Sequence, residues 1–180
     1  MTQPDLIPAW VNNTLQQVEK LSVHQRGLRH KAVSVFVLHG DAVLLQRRAL
    51  TKYHTPGLWA NTCCTHPRWG EPAADCAQRR LREELGIAGL ILAPVGQVEY
   101  RAKVPPDLIE HEIVDVFLAR TASRPAVNPD PAEVAGTAWM RLADLTTDLA
   151  ANPGSYTPWL QIYLNQHFAR IFGNQPLRFT

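Results

Sequence analysis

The apolar residues of this chain change period several times, and each change marks an element. Residues 31–48, KAVSVFVLHGDAVLLQRR, set two Val- and Leu-rich runs on either side of Gly40-Asp41, the pattern of a β-hairpin. Gly96–Ala102 and Glu112–Ala119 carry the same strand character, and Thr137–Arg141 predicts a shorter strand. Helical spacing takes over elsewhere. Residues 71–85, EPAADCAQRRLREEL, predict a helix with Pro72 in its first turn and Gly86 as its stop. Ala143–Ala150 reads as a short helix. Thr157–Ile171 reads as a longer one, in which Trp159, Leu160, Tyr163, Leu164 and Phe168 recur at helical spacing. Residues 1–13, polar and interrupted by Pro4 and Pro8, predict a flexible N-terminal arm, with Thr14–Val23 as a short helix after it. Ala49–Gly70 has neither period and predicts a long loop; ordered loops of such length usually carry function. Arg124–Pro131 is a proline-rich connection. Strands and helices mix without regular βαβ alternation. The expected fold class is therefore α+β, a single domain over residues 14–175 with a mixed β-sheet in a sandwich.

At 180 residues the chain has room for one domain, and its 46% apolar content is enough for a full core. Only 19% of residues are charged and the net charge is +2, too weak and mixed for general binding to nucleic-acid phosphates. No apolar run approaches the ~20 residues that span a bilayer. The opening MTQPDLIPAW has neither the basic nor the apolar region of a signal peptide, so a cytoplasmic location without membrane insertion is expected. Three cysteines, with Cys63 and Cys64 adjacent, make a poor disulfide framework. Nothing here speaks to oligomeric state.

Chemistry concentrates around the helix over 71–85. RRLREELGI, Arg79 to Ile87, resembles the end of the Nudix box, with Glu71, Arg79, Leu81, Glu83, Glu84, Gly86 and Ile87 in place. Two positions depart: Thr65 stands where the motif opens with glycine, and Arg80 where its core has its first glutamate. Glutamates one turn apart share a helix face and can hold magnesium against a diphosphate. Arginine at position 80 removes one ligand and adds a rigid diphosphate binder. Taken alone, the helix reads equally as a surface helix with the ion pairs Arg79–Glu83 and Arg80–Glu84.

The flanking segments decide more. RRALTKYHTPGLWANTCCTHP (47–67), EKLSVHQRGLRH (19–30), YRAKVPPDLIEHE (100–112) and YTPWL (156–160) together resemble the type I isopentenyl-diphosphate isomerases, in order from about Lys20 to Leu160. The resemblance implies a Nudix-like α/β/α sandwich. It also implies interconversion of isopentenyl and dimethylallyl diphosphate, a small-molecule reaction of isoprenoid biosynthesis that moves a proton at carbon and hydrolyses nothing. On residues alone, His24, His30 and His66 with Glu110 and Glu112 on one face of a strand form a site suited to Zn²⁺ or Mn²⁺. The resemblance makes these five metal ligands and Glu84 a Mg²⁺ ligand, acting with the Cys64 carbonyl. It casts Cys64 and Glu112, assisted by Tyr100, as the acid and base, and Trp159 as the π face that stabilises a carbocation. Lys20, Arg48, Lys52 and Arg80 become the diphosphate contacts. Two other readings remain: a Nudix hydrolase, which needs the glutamate that Arg80 replaces, and a structural zinc site from Cys63, Cys64, His66 and His54, whose spacing lacks two separated ligand pairs.

Overall fold

Every residue from Ala32 to Leu38 is buried, and strand alternation lets this one run serve two cores. In the computed structural model, which describes residues 5–173, the run is the centre of β3 (Arg29–His39). Ala32, Phe36 and Leu38 join one apolar cluster, while Val33, Val35 and Val37 join another. A strand covered on both faces is continuously apolar, as its sequence is.

β3 pairs parallel with β8 (Leu108–Thr121) in unbroken register from Arg29↔His111 to His39↔Thr121. Antiparallel to β3 lie β6 (Cys63–Thr65), the start of β4 (Ala42–Arg48) and one residue of β1 (Leu6–Val11). β7 (Ala93–Val104) makes a long hairpin with β8, and both β5 (Trp59–Ala60) and β9 (Val134–Arg141) pair with β4. With β2 (Thr14–Glu19) beside β1, these strands form a nine-stranded mixed sheet. Helix α1 (Lys20–Arg26) leads into β3. α2 (Ala73–Leu85) buries Cys76, Ala77, Leu81 and Leu85 against one face of the sheet. α3 (Leu142–Ala151), α4 (Pro158–Gln166) and α5 (Phe168–Phe172) cover the other face. The result is the α+β sandwich with a mixed sheet that the sequence predicts. No described helix is long and apolar enough to cross a membrane.

Four expectations change. Residues 6–11 are a strand rather than a flexible arm: Ile7 and Ala9 alternate inward onto Val23 of α1, and β1 hydrogen-bonds along β2. The missing N–H of Pro8 is tolerated because β1 meets β3 only at Ala9↔His30, so most of that edge has no ladder to lose. The domain thus begins before residue 14, while its expected last residues, 174 and 175, lie outside the described residues, as do residues 1–4 of the arm. Thr14–Val23 is not one helix but β2 followed by α1. The overlooked signal is Asn12-Asn13, both at positive φ (50° and 63°), the conformation of a two-residue hairpin turn. The loop over 49–70 contains β5 and β6, strands of two and three residues in which no period can show. The helix predicted over 157–171 breaks at His167 (φ −127°, ψ 12°), and α5 then packs Phe172 edge-on against Phe36.

The turn between α1 and β3 depends on Gly27, which caps α1 at φ 61°. A Cβ there would meet Ile109 Cδ1 at 3.0 Å and its Cβ at 3.2 Å. Gly27→Ala therefore adds left-handed strain to a clash, and the expected loss is about 1–3 kcal/mol, roughly 2–10 °C in Tm. Thermal melts monitored by circular dichroism check this; an unchanged Tm would show that the turn relaxes freely.

Candidate active site and metal cage

The pairing of three neighbouring strands builds the site. In the β3–β8 ladder His30 stands opposite Glu112, and in the β7–β8 ladder Glu112 stands opposite Tyr100. Period-two geometry turns Glu110 to the same side as Glu112. α1 supplies His24 and β6 leads into His66. Ligand atoms of His24, His30, His66, Glu110 and Glu112 lie within 4.8 Å of one another. All but His66 are fully buried.

The hydrogen bonds around this cluster prepare it for a cation. His24 Nδ1 lies 2.6 Å from the Lys20 carbonyl and His30 Nδ1 lies 2.7 Å from the Leu28 carbonyl. A carbonyl only accepts, so each Nδ1 donates there and each Nε2 is the ring atom turned into the cluster. Both Nε2 atoms are buried without a hydrogen-bond partner, as are His66 Nδ1 and Glu110 Oε2. His30 Nε2 is 3.5 Å from Glu112 Oε1 and 3.7 Å from Glu110 Oε2, too long for hydrogen bonds. Ligands about 2.1 Å from a shared cation stand roughly 3–3.5 Å apart, so the donors fit a divalent ion. Charge favours it too. Burial opposes a charged His30, yet Glu110 and Glu112 outweigh burial and raise it to about 10. Burial likewise opposes ionisation of Glu112, but the neighbouring His30 and the hydrogen bond from His66 win and hold it well below the usual carboxylate range.

Next to the cage, Tyr100 donates to Glu112 Oε2 at 2.5 Å. Adjacent Cys63 and Cys64 point to opposite faces of the sheet, as successive strand residues must. Cys63 is fully buried among Val33, Val35 and Leu81. Cys64 instead lines the same cavity as Glu112 and Trp159. Its Sγ is 3.2 Å from Ser34 Oγ, which in turn is 2.9 Å from Tyr163 OH. Burial and the charge of Glu112 push the Cys64 thiol well above its ordinary pKa, so it keeps its proton. Trp159 is buried with Nε1 unpartnered, and the Arg48 guanidinium sits 5.3 Å from its ring centroid.

Lys20, Arg48, Lys52 and Arg80 line this cavity together with Glu84. Arg80 binds Glu84 through Nη2 at 2.7 Å, and Arg79 reaches Glu83 at 2.9 Å, so both predicted ion pairs form. They are not merely surface decoration. Arg79 also bonds Glu71 at 2.6 Å, bracing the start of α2, and this guanidinium lowers Glu71 to about 2. Glu84, buried, takes a further bond from Gln46 Nε2 at 3.1 Å.

Residues 28–160 match the family model described as the NUDIX domain. An isopentenyl-diphosphate delta-isomerase of Cereibacter sphaeroides (strain ATCC 17025) is 62% identical over 170 residues, covering 94% of this chain and 96% of that protein. The isopentenyl-diphosphate delta-isomerase of Rhodobacter capsulatus is 59% identical over 168 residues, with 93% and 96% covered. The chain belongs to the isopentenyl-diphosphate delta-isomerase family. Solved structures of more distant sequence share the fold. A NUDIX hydrolase of the MutT type from Burkholderia pseudomallei superposes with a TM-score of 0.61 at 22% identity, covering 77% of this chain and 98% of its own. A Nudix hydrolase from M. smegmatis gives 0.62 at 19% identity, with 97% and 98% covered.

Three residues of this isomerase-family site escape sequence reasoning. His54, considered only beside the cysteines, places Nε2 3.3 Å from Glu110 Oε1 and stacks on His24. Burial and the nearby Arg48 lower it to about 2, so it stands neutral beside Glu110. Ser34 lies inside an apolar run and nothing in the sequence marks it. Glu133, beside a proline-rich connection, carries no motif, yet it lines the cavity.

Filling the cage with Zn²⁺ or Mn²⁺ should displace the proton that His30 holds up to about pH 10. Apparent affinity is then expected to rise with pH over the neutral range, by about tenfold per unit for one displaced proton. Calorimetric titration in buffers of different ionisation enthalpy counts that proton; heats independent of the buffer would contradict the assignment.

Proposed function

We infer that this protein interconverts isopentenyl and dimethylallyl diphosphate by moving a proton at carbon. The observation that carries this reading is the pairing, in one cavity, of a thiol held protonated (Cys64) with a carboxylate held ionised (Glu112). Isomerisation asks for both states at once. One proton is added to the terminal carbon of the alkene, the double bond becomes a tertiary cation, and a proton then leaves the neighbouring CH₂ to restore a double bond. Cys64 and Glu112 serve as donor and acceptor, and their roles exchange with the direction of the reaction. Tyr100, bonded to Glu112 at 2.5 Å, holds that carboxylate in place.

The cation must be kept from water. Trp159, almost fully buried, is well placed to shelter it, and its ring already has a guanidinium at 5.3 Å. The four cations of the cavity suit a diphosphate. A divalent ion at Glu84 would neutralise phosphate charge, and Zn²⁺ or Mn²⁺ in the imidazole–carboxylate cage would tune the acidity of Glu112. Arg80 separates this site from hydrolytic relatives by taking the place of a metal-binding glutamate, a substitution that favours gripping the diphosphate over cleaving it.

Two sets of variants test the reading, with conversion of isopentenyl diphosphate followed by NMR. Cys64→Ala should lose about 10²–10⁴ in kcat, the typical contribution of a positioned acid or base. Cys63→Ala, on the other face of the sheet, should keep most activity. Equal losses in the two would remove Cys64 from the chemistry.

If Trp159 stabilises the cation, kcat should fall in the order Trp, Phe, Leu. About tenfold is expected for ~1.4 kcal/mol of cation–π energy, with KM nearly constant because the ground-state alkene is neutral. Should Trp159→Leu match Trp159→Phe in kcat, the ring is only a wall of the cavity.

A further inference from the structure

Glu133 lines the cavity and occupies two of its cations, Lys52 and Arg80. It ends a turn stitched at both sides. Asn128 N–H donates to the Leu85 carbonyl at 2.8 Å and Asp130 N–H to the Glu84 carbonyl at 3.0 Å, fastening the turn to the end of α2. Ala49 N–H donates to the Glu133 carbonyl at 3.0 Å, fastening it to the end of β4. Gly86 makes the first contact possible, since a Cβ there would come within 3.0 Å of Asn128. The backbone thus holds the carboxylate at a set place. A single oxygen, Oε2, forms an ion pair with Lys52 Nζ and lies 3.3 Å from Arg80 Nη2. Arg80 is shared with Glu84 and, through Nη1 at 2.9 Å, with Glu83, so three carboxylates converge on one guanidinium at the cavity wall.

This arrangement matters for what the cavity admits. A diphosphate that engages Lys52 and Arg80 competes with Glu133 and then faces both Glu133 and Glu84. Metal-free diphosphate carries more negative charge than its Mg²⁺ complex and is repelled more strongly. We propose that Glu133 is a specificity-determining carboxylate that makes diphosphate binding depend on a divalent cation. The proposal rests on the diphosphate reading of the cavity given above. Glu133 takes no part in proton transfer at carbon. Its effect is a coupling between metal and anion, and by linkage the factor by which Mg²⁺ tightens diphosphate equals the factor by which diphosphate tightens Mg²⁺.

Calorimetric binding of inorganic diphosphate to the protein as purified, without added Mg²⁺ and in excess Mg²⁺, measures that factor. Glu133→Gln should tighten metal-free diphosphate about tenfold, as expected for removing one partly exposed charge from beside the anion, while the Mg²⁺-saturated affinity changes much less. Glu133→Ser, a second neutral variant, should lower the coupling similarly, and Glu133→Asp, which keeps the charge, should retain most of it. A coupling factor in both neutral variants equal to that of the unmodified protein overturns the proposal while leaving the diphosphate site standing. Failure of the unmodified protein to bind diphosphate even with Mg²⁺ overturns both.

Discussion

Two carboxylates buried side by side, Glu110 and Glu112, constrain everything around them. Isolated buried charges of this kind are worth several kcal/mol of instability each unless they are compensated. Here compensation comes from four separate segments: α1 through His24, β3 through His30, the loop before β5 through His54, and the residue after β6 through His66. Tyr100 of β7 adds a hydroxyl to Glu112. The ladders of β3, β6, β7 and β8 and the packing of α1 bring these groups together. That explains why β1 and β2, which look dispensable in a count of strands, belong to the domain. β1 pairs with β3 at Ala9↔His30 and packs Ile7 on Val23, one residue from His24.

The cavity has two electrostatic characters. On the cage side, carboxylate oxygens and imidazole nitrogens lie within 4.8 Å of one another, a donor set suited to a cation. On the α2 side, guanidinium and ammonium groups gather around Glu84 and Glu133. Between them lie Cys64, Trp159 and Glu112 of the cavity lining, with Tyr100 bonded to Glu112 behind it. Keeping a thiol protonated and a carboxylate ionised in one enclosure needs opposite environments a few ångströms apart. The sheet provides them by alternation and register.

Much of this was legible in the chain. The apolar run of β3, the hairpin at Gly40-Asp41, the α2 helix with its glycine stop and the strand carrying EHE all follow from side-chain period, because burial on a face repeats every two or 3.6 residues. The residue types of the His–Glu cluster and the Nudix-like motif were likewise readable, since metal chemistry selects histidine and carboxylate whatever the fold. The short strands β5 and β6 were not readable, because two or three residues hold no period; nor was β1, whose proline and polar neighbours mask a strand held by one small apolar cluster.

What only the tertiary structure decided is which atoms meet. Composition cannot tell Cys63 from Cys64; the β3–β6 register sends the first into the valine core and the second to Ser34 and the cavity. Spacing cannot show that His30 neighbours Glu112 and Tyr100, because β3 is far in sequence from the β7–β8 hairpin and becomes adjacent only through a parallel ladder in register. Glu133 and His54 carry no local signature at all. Their roles come from long-range contacts, in which a side chain's surroundings are supplied by distant segments and the local sequence records none of them.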